Sequence, residues 1–290
     1  MNILPFTLVL ISIFTHAYWN YLIKCSQNKH VFTALSKFAE ISIFSIPAIY
    51  FFRTTDFKIE FLLLVAVAAI ITFLNYYFLS SAYKYGDLSL IYPVSRSSII
   101  FLPVLAFYFI GEQIDLFGIT AIVLILLGTF IMHIESFNMH GVNTVLKKIS
   151  NKGSLYAILA AFSVACYTLW DKVSITKMHP FLYFYLYTLL VAILYNSISI
   201  VKFGRYEIKK EWHLNRWNII KVGFFNSFTY ILVLMALTMS KATYVGGLRQ
   251  LSIVIGVIFG YKFLGEKLGI PKIVGVLISV IGAFLIYLAK

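Results

Sequence analysis

The 290 residues carry 61% hydrophobic and 12% charged side chains, with a mean hydropathy of +0.89. A water-soluble domain is about one quarter charged, so this composition excludes one and points to a chain that lives in lipid. The formal net charge of +13 is scattered over short segments between apolar runs, which argues against a nucleic-acid partner and for basic loops facing anionic lipid.

A bilayer core takes about 20 apolar residues per helix. In chain order, such runs predict spans at 4–24, 31–52, 60–82, 89–110, 115–134, 154–175, 181–201, 217–238, 243–264 and 269–288. The first run has no basic leader and no small-residue cleavage site, so it is expected to stay as a span. Most connections are short, and 111–113 and 265–267 allow only tight helical hairpins. Two longer connections are expected as loops: 135–153, with Lys147, Lys148 and Lys152, and 202–216, with Lys202, Arg205, Lys209, Lys210 and Arg216. Cys25 and Cys166 show neither metal spacing nor a disulfide framework, and read as small hydrophobes.

The chain contains one stretch twice. Residues 86–134 match 240–288 without a gap, 154 positions on. Phe109, Gly111 and Glu112 fall on Phe263, Gly265 and Glu266, Ser98 and Ile99 on Ser252 and Ile253, and Gly128 and Phe130 on Gly282 and Phe284. Further back, Tyr76 falls on Tyr230 and Ala82 on Ala236. So long a period means a duplicated half-protein rather than a solenoid. The predicted fold class is an all-α polytopic membrane protein of ten helices, in two five-helix repeats at 1–134 and 154–290 joined by a connecting loop at 135–153. Five is odd, so the second repeat starts on the opposite side of the membrane from the first. Inverted repeats of this kind are typical of secondary transporters, with the substrate site near the midplane between the halves.

The same residues carry a resemblance. His16-Ala17-Tyr18-Trp19-Asn20 with Lys24 is echoed by Trp170-Asp171-Lys172, and Pro93…Gly111-Glu112…Gly118…Gly128 by Gly265-Glu266…Gly275…Gly282. Each half resembles an EamA domain of the drug/metabolite transporter superfamily, and the resemblance covers essentially the whole chain. It implies a ten-helix permease for small organic metabolites. The second copy has Gly246-Gly247 where the first has Tyr92-Pro93, so the two halves of any site are unequal.

Charge predicts orientation. Fifteen Lys and Arg residues fall on the side of connections 1–2, 3–4, 5–6, 7–8 and 9–10, against six on the side of both termini. The positive-inside rule then puts both termini outside a multi-pass protein of the cytoplasmic (inner or plasma) membrane. Lys37, Arg96 and Arg249 are left inside spans. Charges there cost at least about 2.5–3.5 kcal/mol on insertion scales and normally face the protein interior with a partner.

Candidate site residues follow from that cost. Arg96 lies in helix four and Arg249 nearly opposite in helix nine, beside Gln250, the repeat counterpart of Arg96. They read either as structural clamps on backbone carbonyls or as a binding site for an anionic group, which a planar guanidinium holds bidentately. Glu40 and Lys37 share a helix face and read as a self-neutralising pair or as a proton-linked group. His16 titrates near neutral pH and reads as a packing residue or a second proton-linked group. Trp19, Tyr76, Tyr92, Tyr230 and Tyr244 supply rings at plausible cavity positions, and Asn20, Asn75, Asn226 and Gln250 supply amides. Asp171 is expected to mark the membrane interface. Glu112 and Glu266 are expected to cap the helices that follow their own turns. Gly246-Gly247 and Pro93 either loosen the helices where the halves rock or let helices pack closely.

No metalloprotease helix, nucleophile elbow or Walker loop is present, so neither an enzyme nor an ATP-driven pump is expected, and no cofactor or metal. The expectation is a secondary transporter working by alternating access, with proton coupling as one option. The alternatives are a lipid or lipid-linked-intermediate flippase, and a non-transporting receptor or scaffold. Expected partners are a small-molecule metabolite and membrane lipids, with the protein a monomer or weak homodimer.

Overall fold

Lipid offers no partner for backbone N–H and C=O groups, so apolar runs become helices, which satisfy those groups internally. The computed structural model describes residues 1–24, 26–85, 94–132, 134, 152–264 and 269–289, and every regular element among them is a helix. These are α1 (Ile3–Lys24), α2 (Lys29–Ile43), α3 (Ser45–Thr54), α4 (Glu60–Tyr85), α5 (Ser98–Ile110) and α6 (Leu116–Ile131). The second half has α7 (Lys152–Ser174), α8 (Pro180–Met239), α9 (Ala242–Arg249), α10 (Ser252–Leu264) and α11 (Ile270–Leu288). Six helical stretches are long and apolar enough to cross a membrane, with α9 and α10 counted as one, or seven if the bent pair α2–α3 is one span. Two shorter apolar helices, α5 and α6, complete the set among the described residues.

Three expectations need correction. The second predicted span, 31–52, is not a straight rod: α2 and α3 meet at Phe44 with a bend of 51°. Pro47 explains it, because it has no N–H for the carbonyl of Ile43 and its ring crowds that oxygen. The predicted loop 202–216 is helical, and only Gly204 (φ 73°, ψ 165°) leaves helical geometry inside α8. Residues 205–216 contain no Pro or Gly, and Asn215 Nδ2 donates to Glu211 Oε1 one turn back at 2.7 Å. Gly204 therefore divides α8 into arms 180–203 and 205–239, and exposed Tyr206 and Trp217 near the basic residues suit a membrane–water interface.

The third correction concerns the ninth predicted span, which breaks between α9 and α10. The break has a twin. Leu251 N–H bonds to Leu248 O at 3.0 Å and Val254 N–H to Leu251 O at 2.9 Å. In the first repeat, Ser97 N–H bonds to Val94 O at 3.1 Å and Ile100 N–H to Ser97 O at 2.9 Å. These are the same positions 154 residues apart, each tightened from i→i−4 to i→i−3 bonding. Such a local tightening in mid-helix often marks a hinge.

The helices pair with two-fold logic. α1 packs on the 205–239 arm of α8, with Tyr18 edge-on to Phe225 at 5.1 Å, and α4 packs on α7. Shifting the numbering by 154 exchanges these two pairs. It likewise exchanges α5–α7 with α1–α10, while α6 packs on its own counterpart α11. At the α6–α11 crossing the backbones touch: a Cβ on Gly128 would lie 2.6 Å from Gly275 O, and one on Gly282 2.8 Å from Ala121 O. Small residues allow that approach where lipid supplies no hydrophobic drive. The start of α1 and the end of α7 share one face, because Met1 and Lys172 line the same vestibule with Glu112, Ser240 and Ala289.

Candidate substrate site

The paired helix breaks put two cations at the centre. Arg96 sits on the break that precedes α5, and Arg249 ends α9 at the other. Both line one small cavity with Ser12, Ile13 and His16 of α1 and Thr229 of α8. Its volume is about 10 Å³, room for about one water, so the lining side chains nearly fill the centre. A much larger vestibule of about 890 Å³ lies at the face shared by Met1 and Lys172, away from the arginines.

Arg96 Nη2 lies 3.2 Å from His16 Nε2. A guanidinium has only donors, so Nε2 accepts and His16 is neutral here with its proton on Nδ1. Trp19 stands edge-on to His16 at 4.8 Å, and its buried Nε1 has no hydrogen-bond partner among the described residues. Thr229 Oγ1 lies 2.7 Å from Thr15 Oγ1, tying α8 to α1 beside the cavity. Gln250 Nε2 donates to Ser98 Oγ at 3.3 Å across the two breaks, while its buried Oε1 has no partner among the described residues.

Arg249 leans over the Tyr230 ring, its guanidinium carbon 5.4 Å from the centroid, with the Tyr167 side chain beside it. A cation over a ring face is held by the ring quadrupole. The Tyr230 hydroxyl in turn donates to Asp171, whose other oxygen accepts from Tyr183 at 2.7 Å. Nearby, Lys37 Nζ pairs with Glu40 at 2.9 Å, and Asn226 Nδ2 donates to both Glu40 oxygens at 3.0 and 3.2 Å. Lys37 Nζ also lies 5.9 Å from the centre of the Tyr76 ring, which itself meets Tyr195 edge-on.

The arrangement sorts the expected site residues. His16, Arg96 and Arg249 converge on one cavity, with Trp19, Tyr230 and Gln250 against them. Glu40, Asn226 and Tyr76 form an adjoining cluster in which the Lys37–Glu40 charge is closed on itself. Asn20 turns back on its own helix, donating to His16 O at 2.7 Å. Asn75 is a strut from α4 to α7, donating to Ala160 O at 2.9 Å. Tyr92 lies outside the described residues, as do Pro93 and Glu266.

Three placements differ from expectation. Tyr244 does not line the centre: it is buried near the vestibule, donating to Asp115 Oδ1 at 2.9 Å and packing on Gly118. It starts α9, and the centre lies at that helix's other end. Glu112 does not cap its own helix. Asp115 does that, accepting from Gly118 N–H at 2.9 Å, while Glu112 crosses to the other repeat and accepts from Ala242 and Thr243 N–H at 2.8 and 2.9 Å. Asp171 does not point outward: it is 2% exposed and joined to the centre through Tyr230. Its one signal in the sequence is its place between Trp170 and Lys172.

These features define a class: a multi-pass, all-helical membrane protein whose two repeats meet at a buried polar centre. The chain belongs to the EamA-like transporter family, whose model matches residues 4–134 and 151–288. It is therefore a member of a family of membrane permeases, within the drug/metabolite transporter superfamily. No curated protein matches the chain. A solved structure, titled only as the crystal structure of a protein, covers 98% of this chain and 96% of its own with a TM-score of 0.72 at 13% identity. At that identity the likeness shows the fold alone.

Proposed function

We propose that the chain is a secondary transporter of a small organic metabolite bearing a carboxylate or phosphate, working by alternating access without ATP and coupled to protons. One observation carries the reading: Arg96 and Arg249, from the matching breaks of two repeats, line a single small cavity. Two guanidinium groups at one place inside a membrane protein are costly and normally serve a purpose, and binding an anionic group is the purpose that suits both. Trp19, edge-on to His16, and Tyr230, under Arg249, are the rings just behind the cavity lining and would pack against the apolar body of such a metabolite if the cavity widened. The halves, 1–134 and 154–290 joined by 135–153, are inverted in this reading, with ten crossings in all. Support comes from equivalent helices α1 and α7 running in opposite directions: one starts and the other ends at the same face.

The test is thermal unfolding of purified protein against a panel of carboxylates and phosphates, each paired with its neutral amide or alcohol. A ligand at a hundred times its Kd stabilises by about 2.7 kcal/mol. At least one anion should raise the midpoint while its neutral partner does not. Stabilisation by lipids alone would replace this reading with a flippase.

The charge asymmetry supports an orientation in the inner or plasma membrane with both termini extracytoplasmic. A C-terminal phosphatase fusion should be active and a C-terminal fluorescent fusion dark. The opposite pattern would invert the assignment.

A further inference from the structure

The centre holds a carboxylate with no task so far. Asp171, near the end of α7, is 2% exposed and accepts from Tyr183 and Tyr230. The groups that face it are Tyr183, Tyr187 and Tyr230 of α8 and Arg249 of α9, with Tyr167 on its own helix. Tyr76 of α4 lies behind Tyr167, and Glu40 of α2 behind Tyr187. Its neighbour Lys172 turns away, to the carbonyls of Leu237 and Ser240 at the vestibule. Asp171 thus stands next in sequence to Lys172, which lines the vestibule, and one tyrosine, Tyr230, from the Arg249 guanidinium.

The other two proton-linked candidates are committed. Glu40 is neutralised by Lys37 and held by Asn226. His16 accepts from a guanidinium, and a second proton on it would face two arginines. Asp171 is the acid left to answer Arg249. Protonation of Asp171 takes a negative charge away from Arg249, and in a low-dielectric site that change strengthens the pull of the guanidinium on an anion.

We infer that Asp171 is the proton-coupling group, which takes up a proton from the vestibule side as the substrate's anionic group replaces it as the counter-charge of Arg249. The inference rests on the anionic-substrate reading above. The proton arrives from water on a carboxylate oxygen, the Tyr230 hydroxyl is freed to turn, and the same proton leaves to water when the anion does. No covalent bond to the substrate forms. One proton moves with each substrate, so a monoanion crosses without net charge.

Phenylacetate is a suitable probe, a carboxylate on an aromatic body, used with the full chain in proteoliposomes. The infrared carboxyl stretch of protonated Asp171, identified by its loss in Asp171→Asn, should grow when phenylacetate is added at constant pH. Arg249→Gln should abolish that growth. Wild-type affinity should fall about tenfold per pH unit above the point where Asp171 loses its proton. In Asp171→Asn it should no longer follow pH, and Asp171→Glu should restore the dependence. A pH dependence that survives Asp171→Asn overturns the inference and gives the proton to His16 or Glu40. So does a wild-type carboxyl band that ignores phenylacetate. Phenylacetate binding that survives both Arg96→Gln and Arg249→Gln overturns the anionic-substrate reading instead.

Discussion

Arg96→Ala and Arg249→Ala, made separately and compared at equal expression, should each impair transport of the substrate, and at least one should lose about tenfold or more. A hydrogen bond to a charged group contributes about 1.5–3 kcal/mol, and both guanidinium groups face one cavity. The two losses should differ in kind. Arg96 is tied to His16, so its removal also frees the imidazole of α1. Arg249 is stacked over Tyr230, so its removal loosens the tyrosine that holds Asp171. Lysine should not rescue either position fully, because a single ammonium cannot give the bidentate grip of a guanidinium. The measurement is uptake or export of the anion found in the stability screen. Normal transport by both alanine variants would make the arginines structural, and the site would have to be sought among Trp19, Tyr230 and the amides around them.

The sequence reveals those two arginines for a simple physical reason. A charge in an apolar run stands out, and lipid permits it only with a purpose. The duplication is legible for the same kind of reason, since Gly111-Glu112 and Gly265-Glu266 interrupt otherwise uniform helices. What contacts decide is not legible. Asp171 looks interfacial beside Lys172, and its partners Tyr183 and Tyr230 lie 12 and 59 residues away. The helix breaks at 97 and 251 contain no Pro or Gly; the bond pattern alone marks them. Gly204 was visible, but that helix resumes after it depends on Glu211, which is buried against the Asn28 backbone. Tyr244 shows how an aromatic at a plausible position can serve a different end of its helix.

Glu112→Gln should unlatch one face of the protein. Glu112 is 9% exposed, and both of its oxygens accept first-turn amides of α9, a helix with no side-chain cap of its own. Helix N-termini leave such amides unpaired and carry partial positive charge, so a carboxylate from the other repeat is a strong tie between halves. Two neighbours reinforce it: Tyr244 bonds Asp115, and Lys172 grips the end of α8 at Ser240 O, 2.8 Å away. In the duplicated sequence Glu266 stands for Glu112, and Leu88 and Ser89 for Ala242 and Thr243. Glu266 lies outside the described residues; the duplication alone leads to the expectation that, if the repeats are inverted, it does for the opposite face what Glu112 does for this one, and alternating access means that one face opens while the other closes. Losing one latch bond of about 1.5–3 kcal/mol should then shift the two populations at least about tenfold. The probe is Ser12→Cys beside the central cavity, in a chain with Cys25 and Cys166 replaced by alanine, labelled from the face of the termini by an impermeant maleimide. Glu112→Gln should speed labelling about tenfold and Glu266→Gln should slow it, with transport reduced in both because each state is visited in every cycle. Labelling that moves in the same direction in both variants, or in neither, would mean that Glu112 is a helix cap and not a gate.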